Sequence, residues 1–501
     1  MATARTCYSP NGLVLPEDVS LKPDLRDRIA TTIYQAGHHT TLQHAHVQFG
    51  LENVSRHFIW SFLHAHPFYN SEQVSQRYVR VEPRQMAVPP LTGAALTVYR
   101  QTMQRQIDAY QALIDLLTPT VTHFYFQTFP QRAPAARRDS QAHPLARRWI
   151  PKKSMEVARY VLPVATFAYL YHTVSVLTLL RYYRLCRQFD TPHETRIVVQ
   201  GMVDALLALD PQLNKILEEP LPLEQTLEYQ FWQSASWPAT ASAPAFRQEF
   251  DAELGDHVSK LVSWKQDNET LLAQSVREVL GLPRAALNDA AAIALVLDPR
   301  QNPYFGESLN VTTLSKLTRT LHHPGYTFRK KLSHTADSQD QRHRTTPASR
   351  PLLSAYLGDD PDFITPALLW HNDTARALYD ETMARTWEGI HALRRLGVPD
   401  EYAAYLLPNG VAIRFSESAD LLALHHKLRL RLCYNAQEEI FAASQDEALQ
   451  IAAINPTIGQ YLGAPCTLRH AATARPICPE GDRYCGVPVW RLAVADYDRV
   501  L

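Results

Sequence analysis

The chain has 501 residues, 46% hydrophobic and 20% charged, with 50 Lys plus Arg balanced by 50 Asp plus Glu. That length exceeds one ordinary core and the composition is globular, while the zero net charge removes any general argument for a nucleic acid or membrane as partner. Six cysteines are too few for a disulfide scaffold and the opening "MATARTCYSPNGL" lacks the apolar run of a signal peptide, so a cytoplasmic, reduced protein is expected.

Apolar spacing predicts a helix over 24–37, an alternating strand over 44–51 and a second helix over 54–63. A strongly periodic helix follows at 97–118, and Pro- and Arg-rich 129–148 reads as a loop. From Val161 to Leu180 twenty residues pass without a full charge, the length of a bilayer span. Pro163, His172 and interspersed Thr, Ser and Tyr divide this run instead into a turn, a core strand and a helix ending in "LLRYYRLCR". Helices are predicted at 198–208 and 257–280, a polar loop at 332–351, and helices at 366–396, 419–433 and 435–453. The mixture is α+β, with long helices on a modest sheet.

The pattern also repeats. "EVARYVLP" (Glu156 to Pro163) returns as "EYAAYLLP" (Glu401 to Pro408), 245 residues later, and the same offset carries Leu179, Leu185 and Glu194 onto Leu424, Leu430 and Glu439. Self-similarity over so long a period means two copies of one unit, placed at 1–285 and 286–501.

Two polar stretches carry the chemistry. "HAHPFYNSEQVSQRYV" (His64 to Val79) holds Ser75, Arg77 and Tyr78 behind His64-Ala65-His66; "QRHR" supplies Arg342-His343-Arg344 almost 280 residues on. With "GHHTTLQH" (Gly37 to His44), "VARYVLP" and "ARTCYS" (Ala4 to Ser9), which looks like their N-terminal strand, these resemble the flavin-dependent thymidylate synthases. Their hallmark is Arg-His-Arg, a few residues, then Ser-x-Arg-Tyr. Each copy keeps what the other has lost. The first has Ser75, Arg77 and Arg159, where the second has "TTPASRP" and Ala404; the second has Gln339, Arg342, Arg344 and Arg431, where the first has Ser61, His64, His66 and Cys186.

The resemblance implies a composite site between the copies. An internal pseudo-dimer would pair again into a homodimer, a pseudo-tetramer matching the family's homotetramer. The implied reaction is reductive methylation of dUMP to dTMP with FAD, NADPH and methylenetetrahydrofolate, without a cysteine nucleophile. Ser75, Arg77, Tyr78, Arg159, Gln339 and Arg431 would hold dUMP, with Arg431, Arg159 and Gln339 nearest the chemistry. His38, Thr40, Glu72, Arg342, His343 and Arg344 would face the flavin. Planar guanidinium groups suit a phosphate dianion because they bind it bidentately. The helix expected to offer two asparagines and an arginine to the flavin has Ser175, Leu177 and Arg181 in one copy and Asp420, Leu422 and His426 in the other. Its histidine is replaced by Asp190 and Asn435.

Other readings stay open. Arg342 to Arg344 could be a solvated charge run, and Ser75 and Arg77 could cap and salt-bridge a helix. The protein could bind a nucleotide without catalysis, or be a flavoenzyme for another pyrimidine nucleotide. Residues 38–66 hold seven histidines, but without the spacing of a metal site. Cys466, His470, Cys478 and Cys485 are ligand types whose spacings fit no compact zinc ribbon, so no metal is expected.

Overall fold

The computed structural model describes residues 1–64, 68–128, 144–187, 190–234, 242–358 and 360–499. The elements that position the site are, in chain order, α1 (Pro23–Gln35), β1 (His46–Ser55), α2 (Arg56–His64), β2 (Tyr69–Gln73), α3 (Gly93–Thr128), α4 (Pro144–Ala158), β3 (Phe167–Ser175), α5 (Val176–Arg184) and α6 (Pro192–Leu209). They continue with β4 (Ser259–Trp264), α7 (Asn268–Leu280), β5 (Gly325–Ser333), α8 (His334–Asp340), β6 (Ala348–Ser349), α9 (Asp373–Arg395), β7 (Ala412–Asp420), α10 (Leu421–Arg431) and α11 (Glu438–Ile454).

Four times a strand passes directly into a helix, and each time a capping side chain makes the junction. Ser55 Oγ accepts from Phe58 N (2.9 Å), Ser175 Oγ from Thr178 N (3.2 Å), Ser333 Oγ from Ala336 N (3.1 Å) and Asp420 Oδ1 from Ala423 N (2.8 Å). Each cap satisfies a helix N–H that would otherwise lack a partner. The strands form two antiparallel sheets, ordered β1-β3-β2 and β4-β5-β7-β6. Long α3 packs against α4 and α9. That approach is close at Gly389, where a Cβ would collide with Thr102.

The two Pro-marked turns meet back to back. Val164 N donates to Leu407 O and Asn409 N to Leu162 O, both at 2.8 Å; Ala165 N donates to Tyr405 O (3.0 Å) and Gly410 N to Tyr160 O (2.8 Å). Pro163 lies opposite Pro408. Within each pair, adding or subtracting 245 converts one bond into the other, as in an isologous contact. Two half-buried carboxylates repeat the relation. Glu194 accepts from Ser55 N (2.7 Å), Ser55 Oγ (2.6 Å) and Tyr405 Oη; Glu439 accepts from Ser333 N, Ser333 Oγ (2.6 Å) and Tyr160 Oη (2.5 Å). Each tyrosine crosses from the opposite half.

Several elements differ from the sequence expectation. Ala2–Thr6 is a short helix rather than a strand. The expected helix at 257–280 divides into β4 and α7, because Ser259 to Trp264 completes the second sheet beside β5. That sheet thus draws on residues before the expected boundary at 285/286. The expected loop at 332–351 contains the end of β5, α8 and β6. At 366–396 a 3-10 turn (Ala367–His371) precedes α9, which Asn372 caps. Residues 129–143 of the other expected loop lie outside the described residues, and 144–148 open α4. Val161 to Leu180 forms a turn, β3 and the start of α5, and no helix among the described residues is long and apolar enough to cross a membrane.

Candidate functional site

A cavity of about 320 Å³ lies where β2, α2 and the Pro163 turn meet α8 and α10. Its walls bring together Glu72, Ser75, Arg77, Tyr78 and Arg159 from the first half with Gln339, Arg342 and Arg431 from the second. Arg56, Gln76, Gln341 and Asn409 join them without having been expected. Five of the lining residues are arginines, and the one carboxylate among the lining residues, Glu72, is solvent-exposed. Guanidinium groups crowded out of water hold their protons less firmly. Burial, then Arg159 and Arg342, lowers Arg56 to about 9; burial lowers Arg431 to about 10, with Arg342 and Arg77 adding to the effect and Asp340 opposing it. Arg159 is lowered by burial as well.

Several buried polar atoms around this cavity find no hydrogen-bond partner among the described residues: Arg159 Nη2, Arg56 Nε, Gln76 Nε2 and both side-chain polar atoms of Gln341. Five such atoms lining one cavity with five arginines suit an anionic, hydrogen-bonding occupant. The remaining atoms are well fixed. Asn409 Nδ2 donates to Gln76 Oε1 (3.1 Å) and to Arg159 O (3.0 Å). Arg431 Nε donates to His343 Nε2 (2.9 Å) and its Nη2 to Gln339 O (2.8 Å). Arg77 is salt-bridged to Glu156 and donates through Nη2 to Asn435 O (2.9 Å). Burial disfavours the Glu156 carboxylate, yet Arg77, Lys153 and Arg159 hold it well below the ordinary range. Arg77 and Tyr78 also line an adjoining cavity of about 290 Å³ with Lys153, Glu156, Cys433 and Asn435.

Arg342 forms a shared wall with a larger cavity of about 860 Å³. Here Arg342, His343 and Arg344 face Asp420, Leu422, His426 and Arg429 of β7 and α10. Arg344 lies over the Tyr69 ring at 5.0 Å and donates to Asn70 Oδ1 (3.2 Å). His343 is buried, and desolvation followed by the Arg431 charge keeps its imidazole neutral. Asp420 is paired with His322 at 2.8 Å.

Two expectations shift. His38 and Thr40 line neither cavity: they sit at a turn of the first half, exposed, beside α5. Asn310, Thr312, Thr313 and His322 of the second half line the larger cavity instead, because that cavity is built on the half carrying Arg342 to Arg344. Glu72 lines the smaller cavity, not the larger one. Of the missed residues, Gln76 stood inside the quoted Ser-Gln-Arg-Tyr run and Asn409 followed the repeated proline. Arg56 had no sequence signal that set it apart. Neither cavity is lined by a cysteine among the described residues, and none of their His, Cys, Asp and Glu side chains gather as a metal site.

A family model described as thymidylate synthase complementing protein matches residues 1–212 and 260–457. Among curated relatives, the chain is 28% identical to a flavin-dependent thymidylate synthase of Geobacter sulfurreducens over 169 residues, 33% of this chain and 70% of that protein. It is 30% identical to the one of Sulfurisphaera tokodaii over 30% of this chain and 58% of that protein. The match to the Clostridium tetani protein of the same name is 24% identical over 43% of this chain and 79% of that protein.

Proposed function

The chain belongs to the flavin-dependent thymidylate synthase family, and from that premise we propose that it converts dUMP to dTMP at one composite site between its two halves. In this reading the halves are copies of one domain, related as in an internal dimer, with the boundary before Ser259 where strand pairing changes sheet. A pairing of two tandem chains would reproduce the count of a tetramer. The observation that carries the proposal is the smaller cavity. Residues from positions 75 to 159 and from 339 to 431, each set incomplete alone, share its wall.

The dUMP phosphate is assigned to Arg77 and Arg159, with Ser75 and Gln76 donating and Tyr78 in support. Arg159 Nη2 is one of the buried donors of this cavity without a partner among the described residues. Arg431 has Nε committed to His343 and Nη2 to Gln339 O, which leaves Nη1 for a carbonyl of the base. A cation held there stabilises negative charge that develops on the base, and a fixed donor in a desolvated site needs no reorganisation to do so. The Gln339 side chain lines the same wall and completes the recognition.

The larger cavity fits a flavin dinucleotide. Its volume is within the usual range for such ligands. Arg342, Arg344 and Arg429 outnumber the single lining carboxylate, Asp420, which is hydrogen-bonded to His322. Phe68, Tyr69, Phe305 and Leu422 offer flat and apolar surface for a ring system. When bound, a reduced flavin would supply the hydride of the reductive methylation, with NADPH as its reductant and methylenetetrahydrofolate as the one-carbon source. The chain's own part is to orient the reactants across the shared Arg342 wall.

The test is tritium release from C5-labelled dUMP with FAD, NADPH and methylenetetrahydrofolate supplied. Folate-dependent release is the expected result. A second reading, a nucleotide-binding protein without catalysis, is favoured by Asp420, Leu422 and His426 in place of the residues expected toward the flavin. Tight dUMP binding with no release would select it.

A further inference from the structure

Directly behind the Arg342–Arg344 turn lies a cluster of five ionisable side chains with almost no exposed surface: Lys330, Asp340, Glu417, Lys427 and Glu447. Lys330 Nζ contacts Asp340 (3.1 Å), Glu417 (2.8 Å) and Glu447 (2.7 Å); Lys427 Nζ contacts Asp340 (3.0 Å), Glu417 and Glu447 (3.6 Å). Taking so many charges out of water is costly, and well-packed apolar residues of similar volume often serve a fold as well or better.

The first half shows such a replacement. Strand register places Leu51 where Lys330 stands, since Leu51 opposes Leu170 and Lys330 opposes Phe415. The shared offsets then set Phe62 against Asp340, His172 against Glu417, Tyr182 against Lys427 and Met202 against Glu447. Phe62, His172 and Tyr182 pack ring on ring, with Phe62 to Tyr182 at 4.5 Å and Phe62 to His172 at 5.0 Å. One fold unit therefore exists with five ionisable groups in its core and, in the same chain, with other residues in their places. The charges accompany the half that has the arginine turn.

Their contacts say what they hold. Asp340 ends α8, and its carbonyl accepts from His343 N (3.0 Å), while both ammonium groups pin its carboxylate. At the other end of the turn, Thr346 Oγ1 donates to His343 O (2.8 Å) and reaches Glu417 at 3.4 Å. Lys427 sits one helical turn before Arg431 on α10. The turn and the helix that meet in the Arg431–His343 bond are thus both anchored to the same ions.

We infer that this buried cluster is a positioning device for the composite site, fixing the 341–346 turn against α10 so that Arg342, His343 and Arg431 keep their places. The inference rests on the reading of the two cavities as a nucleotide site. Its five members are positioning residues, since none of them lines either cavity.

The test exchanges the cluster for its counterpart: Lys330→Leu, Asp340→Phe, Glu417→His, Lys427→Tyr and Glu447→Met together, with Asp340→Asn as a second variant that leaves two ammonium groups facing two carboxylates. Three quantities are measured: melting temperature, amide hydrogen exchange, and dUMP binding by calorimetry. The exchanged protein is expected to melt no lower than the original. Protection of the 341–346 amides and dUMP affinity should each fall at least tenfold. Asp340→Asn should move the same two quantities in the same direction, and it decides the matter if the fivefold variant does not fold. A folded variant with unchanged protection and affinity would overturn the inference, as would a loss of protection spread through the whole second sheet. If the unaltered protein binds no dUMP, the functional proposal fails, while exchange at 341–346 still decides this one.

Discussion

Asp190 and Asn435 occupy matching places 245 residues apart, but only Asp190 can titrate. It is buried and accepts from Leu353 N (3.1 Å), and burial pushes its carboxyl up to about 7. In the unfolded chain the same group ionises near 4. Between those values the unfolded state has released its proton and the folded state has not, so stability falls as pH rises through the window and levels off above it. Asp190→Asn keeps the acceptor and removes the charge. Its stability advantage over the original should grow from pH 4 to pH 7, reaching on the order of 2–4 kcal/mol, then stay constant. Denaturant titrations at several pH values measure it, and an advantage independent of pH would contradict the assignment. At this scale the sequence was informative where a residue type has one plausible use. Arginines set in repeated turns could be paired across the copies from spacing alone. Arg56 could not, because nothing in "VSRHFIW" separates a cavity arginine from an ordinary helix start.

Among the elements, the strand–helix junctions link the two halves. Each half-buried carboxylate, Glu194 or Glu439, ties a junction serine to a tyrosine of the opposite half. Hydrogen bonds to a charged group contribute about 1.5–3 kcal/mol each. Tyr160→Phe and Tyr405→Phe should therefore each destabilise the whole chain by about that amount, in one cooperative transition. Two separate transitions on calorimetry, with only one of them shifted by each variant, would show that the halves are not braced this way. The sequence disclosed β3, α5, β7 and α10 because a proline-marked turn followed by an apolar run leaves little choice. It concealed α8 for a physical reason. "HTADSQD" has no apolar stripe, yet His334, Asp337 and Asp340 are buried, the first against the Trp60 ring, the second on Arg350 and the third on Lys330 and Lys427. Lys330 misleads in the same way, breaking the alternation of β5 at an inward position between Phe328 and Leu332. β4 was missed because its partner is a strand more than sixty residues later, and local spacing has no record of that pairing.

Across the whole molecule, the 245-residue relation would give the proposed composite site two places, and in one of them the expected arginines are missing. Sheet register aligns Ala348 with Ser71, which carries Leu352 to the place of Ser75 and Ser354 to that of Arg77. Cys186 and Ala404 stand for Arg431 and Arg159. Leu353 and Leu357 are buried, and Arg350 is clamped bidentately on Asp337 at 2.8–3.1 Å, with Trp60 Nε1 donating to the same carboxylate (2.6 Å). Among the described residues, none of the places matching Ser75, Arg77, Arg159 and Arg431 holds a cation: Leu352, Ser354, Ala404 and Cys186 stand there. The complementary losses were legible in the sequence; the filling of the vacated place was not, since it depends on how β6 pairs. The measurement that bears most directly on the account is calorimetric titration of dUMP into the full chain and into Arg159→Ala and Arg431→Ala. One nucleotide per chain is expected, and the loss of that same site, at least tenfold in affinity, in either variant alone. Two nucleotides per chain, or a variant that retains half of the sites at full affinity, would contradict it.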